Sequence, residues 1–242
     1  NLNSKTIQHL LIISNGHGED VIALEIIKRI LDISNSINIE VMPLVGNGYI
    51  FKSIIGKNVG LVGNLKVLPS GGFSNQSLKA LFWDIISGMP VNLFKNWLLV
   101  LRKSNKKYTI LAIGDLLPLF FAWTSQCKFG FLGTPKSDHT WTSGPGWSIS
   151  DFYHKLKGSE WDPWEIHIMK HLNCKTVIVR DQITANNLLR KGVNANFLGN
   201  PMMDFVSSDI EENSSFDDYR KIVLLIGSRY PEALNNLSSF LS

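Results

Sequence analysis

The chain has 242 residues, 24 Lys and Arg against 20 Asp and Glu, 44% apolar residues and 18% charged ones. At roughly 100–200 residues per domain it holds one large domain or one domain and part of another, and its apolar fraction excludes wholesale disorder. Two distant cysteines, Cys127 and Cys174, exclude a disulfide scaffold and a cysteine zinc site and fit a reducing cytoplasm.

In chain order, apolar runs of strand length alternate with stretches of helical period. Residues 7–14 predict a buried strand that runs into Asn15-Gly16-His17-Gly18 rather than a small-residue cleavage site, so no secretory signal is read there. Residues 19–33 predict a helix with Val21, Leu24, Ile27 and Leu31 on one face. Strands are expected at 39–45 and 59–62, around a short helix at 49–55. Leu78, Leu81, Phe82, Ile85, Ile86 and Met89 repeat at three and four, a helix that Gly88 and Pro90 kink or end. Phe94, Trp97, Leu98 and Leu101 continue that period. Strands at 108–113 and 128–132 flank an apolar helix at 116–124. Residues 134–160 read as loop, and strands at 176–180 and 196–198 flank a helix at 182–190. No run reaches the ~18 uncharged apolar residues of a membrane span. Such alternation predicts an α/β fold, a Rossmann-like open parallel sheet with helices on both faces and ligands beyond the carboxyl ends of the strands.

Residues 204–219 are acidic and polar, a linker by composition. A fresh strand at 221–226, Gly227-Ser228-Arg229 and a helix start at Pro231-Glu232 follow. One strand and one helix cannot bury a sheet. Either residues 221–242 add to the first domain or a second domain is truncated; the favoured organisation is one domain at 1–203 and the first part of a truncated second domain at 220–242. Residues 1–203 carry 21 basic and 13 acidic side chains, the remainder three and seven. A basic body favours anionic ligands or anionic lipid. No nucleic-acid-binding motif is present, and nucleic acid is not an expected partner.

Several loops carry candidate chemistry. Gly16 and Gly18 let the first loop turn sharply, while Glu19 and Asp20 at the helix start suit sugar hydroxyls or proton transfer better than phosphate. The same acids also match a helix dipole. His17, Glu19 and Asp20 have no further ligand nearby in sequence, and no metal site is expected. Asp115 ends a strand that should be central, placed as a general base or as an N-cap for the following helix. Ser70-Gly71-Gly72 forms a turn or a ligand loop. Lys136 and Asp138, with neighbouring hydroxyls, could hold a polar or phosphorylated acceptor or form a surface turn. His167 and His171 are four apart and predict one helix face, but Ile168 stands where a metalloprotease needs Glu. The tryptophans at 141, 147, 161 and 164 stack on sugars, rest at lipid or, more commonly, pack under a loop. Residues 91–107 mix Phe94, Trp97, Leu98 and Leu101 with Lys95, Arg102, Lys103, Lys106 and Lys107, a core helix or one lying on an anionic bilayer.

The motif set runs in order along nearly the whole chain: Ser14-Asn-Gly-His-Gly-Glu-Asp20, Leu68-Pro-Ser-Gly-Gly-Phe-Ser74, Gly114-Asp115, Gly133-Thr-Pro-Lys-Ser-Asp138, Trp161-Asp-Pro-Trp-Glu165, Arg180-Asp181 and Gly199-Asn-Pro-Met-Met-Asp204. It resembles the group described as lipid-A-disaccharide synthase-related proteins. Lipid-A-disaccharide synthases themselves match more loosely. Their first loop is of a Gly-Glu-x-Ser-Gly-Asp type and their junction of a Gly-His-Pro type, where this chain has Gly16-His-Gly-Glu-Asp20 and Gly199-Asn-Pro201. Leu225-Ile-Gly-Ser-Arg-Tyr-Pro-Glu232 closely follows the opening of their second domain.

The resemblance implies a GT-B glycosyltransferase whose first domain takes an acceptor and whose second takes a UDP-sugar, with inversion and no cofactor. It implies Asp115 as the base drawing the acceptor's proton, with His17 and Glu19 beside it. Acceptor contacts would come from Gly16, Gly18, Asp20, Ser70, Gly71, Gly72, Lys136, Asp138 and Asn200, and donor contacts from Gly227, Ser228, Arg229 and Glu232. The expected partners are a UDP-sugar donor, a lipid or glycolipid acceptor and an anionic membrane surface. The expected location is the cytoplasm or the inner face of the cytoplasmic membrane, and the chain alone is expected to be inactive. Rival readings are a UDP-GlcNAc epimerase-like enzyme and a non-catalytic GT-B protein that binds glycolipid or nucleotide.

Overall fold

The computed structural model describes residues 8–34, 36–56, 58–64, 89–103, 108–139, 149–201, 203, 224 and 232–241. Its centre is a seven-stranded parallel sheet: β1 (Gln8–Ser14), β2 (Ile37–Pro43), β3 (Val59–Leu61), β4 (Tyr108–Gly114), β5 (Lys128–Gly133), β6 (Cys174–Val179) and β7 (Ala195–Asn196). Their spatial order is β3-β2-β1-β4-β5-β6-β7. The helices are α1 (His17–Ile33), α2 (Met89–Lys103), α3 (Leu116–Thr124), α4 (Ile149–Lys157), α5 (Pro163–Met169), α6 (Gln182–Arg190) and α7 (Glu232–Leu241), with a short 3-10 helix at Tyr49–Ser53. This is the Rossmann-like α/β sheet expected from the alternation of runs. Among the described residues no helix is long and apolar enough to cross a membrane.

The central strands are apolar on both faces because helices cover both. Leu11 and Ile13 join Ile110, Ala112, Phe129 and Phe131 in one buried layer, and Ile12 joins Ile22, Ile27, Ile39, Val41 and Ile113 in the other. Successive β1 residues thus alternate between two cores, the period-2 consequence of the pleat. Chain order runs outward from β1 to β3, then returns to pair β4 with β1. The crossovers therefore diverge at the carboxyl ends of β1 and β4, leaving a crevice there.

Several expected boundaries move. The second strand lies at Ile37–Pro43, two residues early, because parallel pairing sets Gln8 against Ile37 and Ser14 against Pro43. Leu44 and Val45 are buried beyond the strand rather than within it. The stretch 134–160 is not all loop, since α4 occupies Ile149–Lys157. His171 lies past the end of α5, whose C-cap is Lys170. The two histidines therefore share no helix face. The loop at 68–74, the helix expected at 78–88, Trp141, Trp147, the linker at 204–219, the strand expected at 221–226 except Leu224, and Gly227, Ser228 and Arg229 lie outside the described residues.

Candidate functional site

Three loops converge at the crevice. β1 ends in Ser14 and passes through Asn15 and Gly16 into α1; β4 ends in Gly114 and passes through Asp115 into α3; β5 ends in Gly133 and leads to Thr134. Thr134 ties them together. Its hydroxyl donates to Glu19 Oε1 at 3.1 Å, and its N–H to the Gly114 carbonyl at 3.4 Å. Gly114 has φ +130°, and a Cβ there would sit 2.8 Å from Asn15 Cβ and 3.5 Å from Glu19 Cγ. Only glycine lets the β4 loop approach the β1 loop this closely. Glu19 is thereby brought into the crevice that Asp115 borders.

Asp115 is half-buried, and its Oδ1 accepts the Leu117 N–H at 3.2 Å, capping α3. Among the described residues no hydrogen bond reaches its other oxygen. The capping reading and the base reading are therefore compatible in one carboxylate. Asp115 also stands on the rim of a cavity of about 770 Å³, lined otherwise by Leu116, Leu117, Phe120 and Trp123 of α3 and by Trp164, His167 and Ile168 of α5. The α5 contributors are spaced i, i+3 and i+4, so one helix face supplies that wall.

Asp20 is different. It is only 4% exposed, and its Oδ1 accepts the Ser14 hydroxyl at 2.5 Å. Burial pushes its carboxyl up to about 7, against the Ser14 hydrogen bond and with help from the Glu19 charge. Asp20 therefore fastens α1 to the end of β1 beneath the loop. Gly16 is buried and Gly18 exposed in that loop. His17 opens α1, but its side chain lies outside the described residues, as do Ser70, Gly71, Gly72 and the side chain of Glu232.

A second, polar cavity of about 610 Å³ opens beyond β5 and β6, lined by Pro135, Lys136, Ser137, His139, Glu160, Arg180, Asp181 and Asn200. Lys136 and Asn200 thus share one cavity. Asp138 lines neither cavity. It is 3% exposed; its carboxylate accepts from Ser159 Oγ at 3.0 Å, the Glu160 N–H at 2.7 Å and Asn187 Nδ2 at 2.9 Å. Its own N–H donates to Thr184 Oγ1 at 2.8 Å. It joins the β5 loop to the start of the Trp161 segment and to α6.

The Trp161-Asp162-Pro163-Trp164-Glu165 segment lies between the two cavities. Trp161 is fully buried under Gly133, where a Cβ would meet its ring at 2.6 Å. A larger residue at the end of β5 would expel the indole. Glu165 forms a capping box with Asp162 and pairs with Lys136 at 2.5 Å. Burial, only partly offset by Lys136, raises the Glu165 carboxyl above its ordinary value. Burial alone would raise Asp162 too, but hydrogen bonding from Lys157 and the charge of Lys136 draw it below. Asp181 is likewise drawn down despite burial, by hydrogen bonds from Ser137 and Thr184 and by Arg180. Lys136 is therefore held by carboxylates on the protein side of its cavity.

Sequence reading did not single out Arg180, Trp164 or His167 as companions of these residues. The i, i+3, i+4 spacing of Trp164, His167 and Ile168 was the available signal.

The fold and crevice define an open parallel α/β protein with its candidate chemistry at the topological switch between β1 and β4. No protein-family model matches the chain, and no curated protein sequence does. Solved structures similar to it include MurG from Acinetobacter baumannii, at 10% identity over 73% of this chain and 42% of that one, TM-score 0.38. A UDP-N-acetylglucosamine 2-epimerase is similar at 10% identity over 81% and 49%, TM-score 0.46. A UGT transferase from Siraitia grosvenorii in complex with UDP is similar at 9% identity over 79% and 50%, TM-score 0.41. The chain spans about half the length of these structures or less.

Proposed function

We propose that this chain is the acceptor-side domain of a GT-B glycosyltransferase resembling lipid-A-disaccharide synthase, which moves a sugar from a UDP-sugar to a hydroxyl of a lipid or glycolipid. The observation that carries the reading is Asp115: a carboxylate at the switch point of the sheet, one oxygen of which accepts no hydrogen bond among the described residues, on the rim of a large apolar cavity. A lipid chain fills such a cavity, which places the attached sugar hydroxyl at the rim.

The Asp115 carboxylate takes the proton from the acceptor hydroxyl as its oxygen attacks the anomeric carbon of the donor. The carbon–oxygen bond to the nucleotide breaks, UDP leaves with the electron pair, and attack from the opposite face inverts the centre. Glu19, held by Thr134, faces the same crevice as a hydrogen-bond acceptor for sugar hydroxyls. The polar cavity with Lys136, Arg180 and Asn200 accommodates the hydrophilic remainder of the acceptor. Donor contacts are assigned by the motif resemblance to Gly227, Ser228, Arg229 and Glu232 in a second domain, through backbone N–H groups and a guanidinium.

Membrane docking belongs to the same reading. α2 exposes Val91 and Phe94 next to Lys95 and Arg102, an apolar stripe beside cations that suits the inner, anionic face of a bilayer. Flotation with anionic vesicles at low salt, lost at high salt, is the expected outcome; no binding at low salt would remove this element.

The central test uses the protein with its donor-binding domain and a panel of UDP-sugars with acylated sugar acceptors. Asp115→Asn should lower turnover about 10²–10⁴-fold while keeping the fold. Unchanged turnover would take Asp115 out of the mechanism. Binding of glycolipid or nucleotide with no turnover across the panel would favour the non-catalytic alternative.

A further inference from the structure

Eight residues line the apolar cavity; Trp123 and Trp164 bring indole N–H donors, and only Asp115 and His167 among the eight have a side chain that can accept a hydrogen bond. His167 lies in the last turn of α5, between Trp164 and Ile168, which line the same cavity. It is exposed, and among the described residues its imidazole has neither a hydrogen-bond nor an ion-pair partner. Its neighbour His171 is committed: Nδ1 accepts the Asn173 N–H at 3.2 Å, and the ring packs edge-on against Trp123 at 6.5 Å between centroids. Packing within the described fold accounts for His171, whereas His167, in the last turn of α5, makes no hydrogen bond or ring contact among the described residues.

A lone imidazole on an apolar wall has a consequence for binding. In the empty cavity water satisfies it. A ligand that fills the cavity displaces that water, and an entirely hydrocarbon ligand offers nothing in return, so the ring nitrogens are left buried and unpaired. A ligand with a hydroxyl at the matching position replaces the lost hydrogen bond. Sites built this way discriminate strongly against analogues that lack the polar group.

We propose that His167 is the headgroup-selecting contact of this cavity, hydrogen-bonding a hydroxyl of a single-chain amphiphile whose apolar chain lies against Leu117, Phe120 and Trp123. The inference rests on the acceptor-site reading above and adds to it the residue that makes the cavity prefer a hydroxylated amphiphile over plain hydrocarbon. His167 is a specificity residue, distinct in role from Asp115, which handles the reacting proton.

Trp123 and Trp164 line the cavity, so their fluorescence reports occupancy without turnover. The probes are dodecyl glucoside below its micelle concentration and its per-O-methylated analogue, which keeps the chain and cannot donate a hydrogen bond. Wild-type protein should bind the glucoside more tightly than the methylated compound. His167→Leu, which retains bulk and apolarity, should weaken glucoside binding about tenfold and leave the methylated compound unchanged. His167→Gln, which keeps a donor and an acceptor, should stay within about threefold of wild type. With donor and an acylated sugar acceptor, His167→Leu should raise KM and spare kcat, whereas Asp115→Asn should do the reverse. The proposal is overturned if His167→Leu binds the glucoside as well as wild type, if His167→Gln is as weak as His167→Leu, or if wild type binds neither probe. Unchanged turnover in Asp115→Asn with the binding pattern intact would instead overturn the transferase reading and leave the amphiphile site standing.

Discussion

Two carboxylates end neighbouring strand–loop junctions of the same sheet and have opposite fates. Asp115, after β4, accepts the Leu117 N–H with one oxygen and borders an apolar cavity. Asp138, a few residues after β5, is buried with both oxygens occupied by Ser159, Glu160 and Asn187. Both lie beyond the carboxyl ends of central strands, where ligands bind in such sheets. Position alone therefore does not make a carboxylate chemical. What separates them is spare hydrogen-bonding capacity: among the described residues one Asp115 oxygen accepts no hydrogen bond, whereas both Asp138 oxygens do.

The largest effect that sharpens this contrast is kinetic. Asp115→Asn should cost two to four orders of magnitude in turnover while stability stays within about 0.5 kcal/mol, because Asn caps helices about as well as Asp. Thermal unfolding and turnover measured on the same preparation separate the two effects. Asp138→Ala should show the reverse pattern. It leaves the buried Ser159 Oγ and the part-buried Glu160 N–H and Asn187 Nδ2 without their partner, at about 2–3 kcal/mol of stability by denaturant titration. Any residual folded protein should retain the affinity of the apolar cavity. A near-neutral Asp138→Ala would mean that these donors find other partners and that the contrast between the two aspartates is overstated.

Asp20 sits between these extremes, with one hydrogen bond and an ionisation that burial opposes. Its folded-state value of about 7 lies above that of an unfolded aspartate, about 3.9. Below the unfolded value both states are protonated and the buried carboxyl carries no charge penalty. As pH rises the unfolded chain loses its proton first, so stability falls by about 1.4 kcal/mol per pH unit until the folded carboxyl ionises near 7. Asp20→Asn should abolish this slope and be more stable than wild type above neutrality. A wild-type melting temperature that stays flat between about pH 4 and pH 7, after comparison with Asp20→Asn, would show that Asp20 is not held protonated.

The architecture was legible because its signals are local. Buried parallel strands read as apolar runs, α6 was expected at the residues it occupies, and Asp115 stood out by ending the apolar run of β4. The site was less legible because its geometry depends on crossovers. Nothing between residues 134 and 165 announces that Lys136 returns to Glu165, or that Trp161 slides under Gly133. The spacing of Trp164, His167 and Ile168 describes one helix face, but which cavity that face walls depends on α5 packing beside α3. Asp20 was read as an acceptor contact on residue type; its burial follows from the first turn of α1 pressing back onto Ser14, a tertiary effect that no local pattern carries. The two histidines misled because a period of four was read across Lys170, where the helix stops.

The smallest prediction tests the cause assigned to Asp20. Burial is the leading reason its carboxyl stays protonated, and the charge of Glu19, one residue away, adds to it in the same direction. Glu19→Gln removes that charge and keeps an oxygen able to accept the Thr134 hydroxyl, so the link between the first and third loops survives. The upper end of the pH-dependent fall in stability should then move down by less than about one pH unit, with stability at low pH within about 0.5 kcal/mol of wild type. A displacement of two pH units or more would make Glu19, and not the closed surroundings of Ser14 and α1, the main reason Asp20 holds its proton. Asp20 would then belong with the open, charge-sensitive face of the crevice alongside Asp115, and not with the committed carboxylates that Asp138 represents.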